Sequence, residues 1–135
     1  MKPFSLPLVT FCMVALLAGC GGGKNSGFGG GTPSLTLTPA TLTFPSQIVG
    51  TTSDPAKTVT LTNPGTVGIN LMGIAASANY SVDSSACGAT LAPAANCVIN
   101  VTFTPTAVGP QPGTITVTDN ATSSPQTVTL TGTGS

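Results

Sequence analysis

Glu, Arg, His and Trp are absent from this sequence, and charge of either sign is scarce, with three Lys and three Asp in 135 residues. A protein that holds nucleic acid must neutralise phosphates with clustered Lys and Arg, so nucleic acid is excluded as a main partner. General acid-base catalysis draws on His, Glu, Asp, Lys, Tyr or Cys. Beyond the leader described below, the chain offers scattered Asp54, Asp83 and Asp119, two Lys, the lone Tyr80 and a few Cys, so no catalytic residue is assigned and no enzyme is expected. Without His or a second Cys pair there is no zinc set. Calcium takes six or more oxygens, usually from closely spaced carboxylates, so the three separated Asp read as solvated turn residues. No metal or other cofactor is expected. Aromatic residues are 4% of the chain, fewer than carbohydrate binding usually wants. The length suits one domain of roughly 100 residues with appendages.

What is present begins with a leader. Lys2 opens a short n-region, an apolar stretch runs from Phe4 to Leu17, and small residues precede Cys20, which is the three-part shape of an export signal over residues 1–19. The stretch is about 14 residues against the roughly 20 that span a bilayer, so it suits a signal better than a permanent anchor helix. Leu17-Ala18-Gly19-Cys20 resembles at every position the lipobox of bacterial lipoproteins. That resemblance implies cleavage before Cys20, which already bears a diacylglyceryl thioether, and a chain lipid-anchored in the bacterial cell envelope, facing the periplasm or the cell surface. Cys12 lies within the removed segment. From Gly21 to Ser34 half of the chain is Gly, with Lys24, Asn25, Ser26, Phe28, Thr32, Pro33 and Ser34 as the rest, with little to bury and maximal backbone entropy to lose. Residues 20–34 are therefore expected to be a lipid-anchored flexible linker, with a typical span of roughly 20 Å.

From Leu35 to Ser135 the composition turns to Thr and Val punctuated by Pro and Gly, and apolar residues alternate with Thr. That period of two predicts strands over 41–44, 58–62, 97–103, 114–118 and 127–131, with weaker ones over 69–74 and 79–82. Thr faces outward, and Leu42, Phe44, Val59, Leu61, Ile99, Val101, Phe103, Ile115, Val117, Val128 and Leu130 form the expected core. Asn63-Pro64-Gly65, 105–113 and 119–125 supply turns. About seven short strands without a helical stripe predict an all-β, Ig-like antiparallel β-sandwich over residues 35–135.

Once the leader is gone three cysteines remain: Cys20, Cys87 and Cys97. If Cys20 is acylated the other two form an even pair, and an exported domain meets an oxidising compartment, so a structural Cys87–Cys97 disulfide is expected. A redox role would want Cys-x-x-Cys or a cationic neighbour, and neither is present.

The domain also resembles a known family. Leu42-Thr43-Phe44, Gln47 to Ser53 and Val59 to Gly65 look like the opening of bacterial choice-of-anchor D and abnormal-spindle/Hydin (ASH) type domains. Asn79-Tyr80, Cys87-Gly88, Cys97, Ile99, Val101, Phe103, Pro105 and Gly109 resemble its middle, and Gly113-Thr114, Asp119 to Ala121, Ser124 to Gln126 and Leu130 to Gly134 its closing strands. Ala94 stands where a Gly is common before the second cysteine. The resemblance implies a non-catalytic module with an immunoglobulin-like sandwich.

The expected function is thus a membrane-anchored lipoprotein presenting a structural or protein-interaction module to an envelope or surface protein. The alternative is a surface adhesin or glycan-binding domain, with Tyr80 as the stacking residue. Three Asn-x-Ser/Thr triplets, at Asn79, Asn100 and Asn120, read as chance products of a Thr-rich chain. A partner is expected at a sheet edge or at the loops between strands, with Gln126 to Thr131 as one candidate edge because Pro39, Pro45 and the Pro-rich turn at 105–112 blunt other pairing.

Overall fold

The computed structural model describes residues 30–135, which contain ten strands and no helix. The leader of residues 1–19 and Cys20 lie outside the described residues. Residues Gly31–Ser135 form one compact unit, and Gly31, Pro33 and Ser34, assigned above to the linker, are half-buried within it.

Two sheets face each other. One has the order β1 (Thr36–Thr38), β3 (Lys57–Thr62), β7 (Asn96–Phe103) and β5 (Tyr80–Asp83). The other runs β2 (Thr41–Gln47), β10 (Gln126–Gly134), β9 (Gly113–Asp119), β4 (Ile69–Ala76) and β6 (Thr90–Leu91), with β8 (Gly109–Pro110) also on β10. The seven expected strands are all present, and the three extra ones are two or three residues long. The first sheet is antiparallel as expected; the second is mixed, because β2 pairs parallel with β10. The chain leaves the first sheet after β1, turns at Pro39-Ala40 and joins the second sheet beside its last strand. This corrects the expectation that Gln126 to Thr131 is an edge: β9 pairs with Gln126 to Leu130 on one side, and β2 covers Thr129 to Thr131 on the other.

Alternation buries one face of each main strand, and all eleven expected core residues are buried. Leu35, Ile69, Tyr80, Leu91 and Ala121 join them. Phe44, Tyr80 and Phe103, all the aromatic residues after position 30, pack as one cluster with centroids 4.9–5.7 Å apart, a favourable spacing for ring pairs. The cluster explains Gly132: a Cβ there would lie 2.6 Å from the Phe103 ring.

Two polar side chains are buried at one end of the sandwich, beside the start of β4. Asn63, fully buried, donates from Nδ2 to the carbonyls of Val67, Leu91 and Ala92 at 2.8–3.1 Å, and its Oδ1 accepts from Gly65 N–H. Asp119 is not the solvated turn residue expected, since it continues the inward face of Ile115 and Val117 and is 3% exposed. Its Oδ1 accepts from Ala121 N–H, and its own N–H donates to Ser124 Oγ at 2.9 Å. Asp54 and Asp83 are exposed as expected. Ala94 holds φ at 59°, so the turn before Cys97 keeps the left-handed backbone that suits glycine.

Candidate interaction surface

The disulfide between Cys87 and Cys97 is present, with Cα atoms 5.3 Å apart. Cys97 sits on the buried face of β7, while Cys87 belongs to the loop after β5 and is half-buried. The bridge therefore clamps the 84–89 segment to the central strand of the first sheet. The same segment reaches the second sheet, where Leu71 N–H donates to the Ala89 carbonyl at 2.9 Å. Asp83 stabilises its start: its carboxylate accepts from Ser85 N–H at 2.9 Å, and this bond, with one from the Ser85 side chain, holds its carboxyl below the usual carboxylate value.

Tyr80 is 7% exposed, stacks on Phe103 and donates its hydroxyl to the Gln111 carbonyl. Burial pushes its phenol above the ordinary value. A ring so enclosed offers no face to a sugar. Lys57 stands 5.8 Å from the Phe44 ring centroid, within cation-π range, and shares with Asp54 and Gln47 a cleft of about 280 Å³. Among the described residues no three His, Cys, Asp or Glu side chains come together as a metal set. Asn79, read above as part of a chance triplet and of the family resemblance, has φ 74° and bonds Gln111 and Thr106 through its amide, so its side chain is committed to a loop contact.

Sheet edges and exposed apolar residues are what the domain presents outward. Ile48, Val108 and Met72 are its exposed large apolar side chains, at 66%, 76% and 64%. Gln47 and Gly109 both pair with Gly134, so Ile48 and Val108 flank Ser135 at one end of the sandwich. Met72 lies on β4, whose ladder with β9 carries an irregularity between Leu71 and Gly73. β6 covers only Ile69 and Asn70, so the rest of β4 has β9 on one side and no strand on the other. A groove of about 230 Å³ runs between this half of β4 and the disulfide-clamped loop. Nothing in the alternation of β4 marks it as an edge; sheet order alone does.

The model of the family described as "Abnormal spindle-like microcephaly-assoc'd, ASPM-SPD-2-Hydin" matches residues 33–127. The chain belongs to the ASH family. This ASH domain is similar in structure to the ASH/PapD-like domain 7 of human CEP192, with a TM-score of 0.58 at 16% identity, covering 77% of this chain and 87% of that one. It is similar to a Porphyromonas gingivalis W83 protein of unknown function, with a TM-score of 0.63 at 11% identity, over 76% of this chain and 47% of that one. It is similar too to the Vibrio cholerae VesB protease, with a TM-score of 0.54 at 15% identity, over 76% of this chain but 31% of the protease. At these identities the likeness is one of fold, and the ASH domain spans under half of the two bacterial proteins. No curated protein sequence matches the chain.

Proposed function

We propose that this chain is a bacterial lipoprotein of the choice-of-anchor D kind, held in the cell envelope by acylated Cys20, whose ASH sandwich is a non-catalytic structural or protein-interaction module. The observation that carries the reading is the Cys87–Cys97 disulfide. It accounts for both cysteines of the domain and leaves Cys20, behind its lipobox-like Leu17-Ala18-Gly19, as the one cysteine free for a lipid once the leader is cut. A disulfide also suits an exported domain. The chemistry on the domain supports the non-catalytic role: a few dispersed charges, an enclosed tyrosine and a Thr-rich exterior. The enclosed Tyr80 favours a protein partner over the adhesin or glycan-binding alternative, because no other tyrosine or tryptophan exists to stack on a sugar.

Lipoprotein anchors carry two or three acyl chains, and each buried methylene adds about 0.8 kcal/mol, so attachment is effectively permanent. Cys20→Ala should abolish labelling by a fatty-acid probe and release the protein from the membrane fraction. Continued labelling and membrane retention of Cys20→Ala would refute the reading.

A further inference from the structure

We propose that the open half of β4 is where two copies of this chain pair, antiparallel, about a two-fold axis at Ala75. The parity of the ladder sets which groups are free. Ser77 N–H donates to the Thr114 carbonyl at 2.9 Å, and bonded and non-bonded pairs alternate along an antiparallel ladder. With Ala76 opposite Ile115 and Ala75 opposite Thr116, Gly73 and Ala75 therefore face β9 with their backbone groups, while Ile74 and Ala76 turn theirs away from it. Among the described residues no other strand or loop backbone pairs with Ile74 or Ala76. Upstream, the Ala89 carbonyl already takes Leu71 N–H, so the open edge begins past the irregularity at Met72.

This edge lacks the features that close the others. β1 has three residues and stops before Pro39, β2 contains Pro45, β6 has two residues, and β5 has four and ends in the charged Asp83. Residues 73–77 are Gly-Ile-Ala-Ala-Ser, without Pro or charge. About a two-fold at Ala75, Ile74 of each copy exchanges backbone hydrogen bonds with Ala76 of the other. Ser77 and Ala78 of the second copy then fall opposite Gly73 and Met72, at the mouth of the groove beside Cys87 and Ala89, where small side chains suit a narrow space.

Charge favours a second copy as the occupant. The charged side chains after position 30 are Asp54, Lys57, Asp83 and Asp119, none of them on β4, so two copies meet without repulsion and a charged peptide finds no counter-charge. So short an edge buries far less than the roughly 1,200–2,000 Å² of a stable interface. Pairing then needs partners at high local concentration, as chains anchored in one membrane are. That last step rests on the lipoprotein reading.

The test is Ala75→Cys in the full chain, oxidised mildly in cells and read on a non-reducing gel. At the axis the two Cα atoms stand about 4.5 Å apart, within disulfide reach. A dimer is expected from Ala75→Cys and not from Thr129→Cys, exposed in the middle of the same sheet. Adding Ala76→Pro removes an outward donor without touching the β9 ladder, and should abolish the dimer in a protein that still melts cooperatively. Should that variant fail to fold, Ala75→Asp, which sets two carboxylates across the axis, should keep concentrated Cys20→Ala protein monomeric by sedimentation while the parent dimerises. Equal crosslinking from positions 75 and 129, or none from position 75, would overturn the pairing. If Ala75→Cys crosslinks equally with and without Cys20→Ala, and both stay in the membrane fraction, the pairing stands and the anchoring reading falls.

Discussion

Replacing Asn63 by Ala tests the account of how the loops at one end of the sandwich are held. The side chain is fully buried, and its amide donates to three carbonyls, two of them 28 and 29 residues away, at the end of β6 and just after it. Of these bonds, the one to the Leu91 carbonyl is wholly buried, and leaving such an acceptor without a donor costs about 1–3 kcal/mol. The Val67 and Ala92 carbonyls and Gly65 N–H are partly buried and recover some hydration, so each adds a fraction of that. The sum is about 2–4 kcal/mol, a large part of a domain stability of about 5–15 kcal/mol. Urea denaturation of the soluble domain should show the midpoint falling with an unchanged slope, and Tm should drop by at least about 8 °C. Asn63→Asp should cost more at neutral pH, because an ionised carboxylate can only accept and would face three carbonyl oxygens. Its folded-state pKa would be raised, so the deficit should shrink as pH falls toward about 4 and the group gains a proton. A loss below about 1 kcal/mol for Asn63→Ala, or a deficit for Asn63→Asp that grows on acidification, would refute this reasoning.

Phe103 is fully buried between two other rings, so Phe103→Ala should destabilise by about 3–5 kcal/mol in chemical denaturation. Replacing Cys87 and Cys97 together by Ser opens a loop of sequence separation 10 and should cost about 2.5–3 kcal/mol, measured as the gap between the oxidised parent and the variant. Tyr80 ionises less readily folded than unfolded, so its contribution is complete below about pH 10 and is lost as pH rises beyond it. Tyr80→Phe should flatten that alkaline loss in a pH series of melts, while costing about 0.5–1.5 kcal/mol at neutral pH for the bond to Gln111.

The core was legible because alternation over five or more residues leaves a single way to bury the aliphatic side chains, and Val59, Ile99, Ile115 and Val128 follow it without exception. β1, β6 and β8 escaped because two or three residues contain no repeat to detect. Asn63 and Asp119 sit in segments composed like any turn, and their burial depends on groups far off in sequence or on an inward face extended by one more position. The Cys87–Cys97 pairing followed from counting, whereas the open edge of β4 did not, because pattern tells which side of a strand is wet and not which strand lies next to it. The parallel neighbour of β10 was hidden for the same reason, and so its edge was misplaced.

That parallel pair has a consequence for the order in which the chain acquires its structure. Thr43 and Thr131, joined hydroxyl to hydroxyl at 3.0 Å, are 88 residues apart in sequence. β2 leaves the ribosome early and has no strand to pair with until β10 follows, so its backbone stays unpaired for nearly the whole of synthesis. Closure over such a distance comes late and makes folding slow, because the chain loses loop entropy before the contact rewards it. Under the proposed lipoprotein reading, slow closure would suit export as an unfolded thread, since the polypeptide could cross a membrane before its sandwich locks. Deleting the last strand should then leave a polypeptide with no native state at all, open to proteases along its whole length.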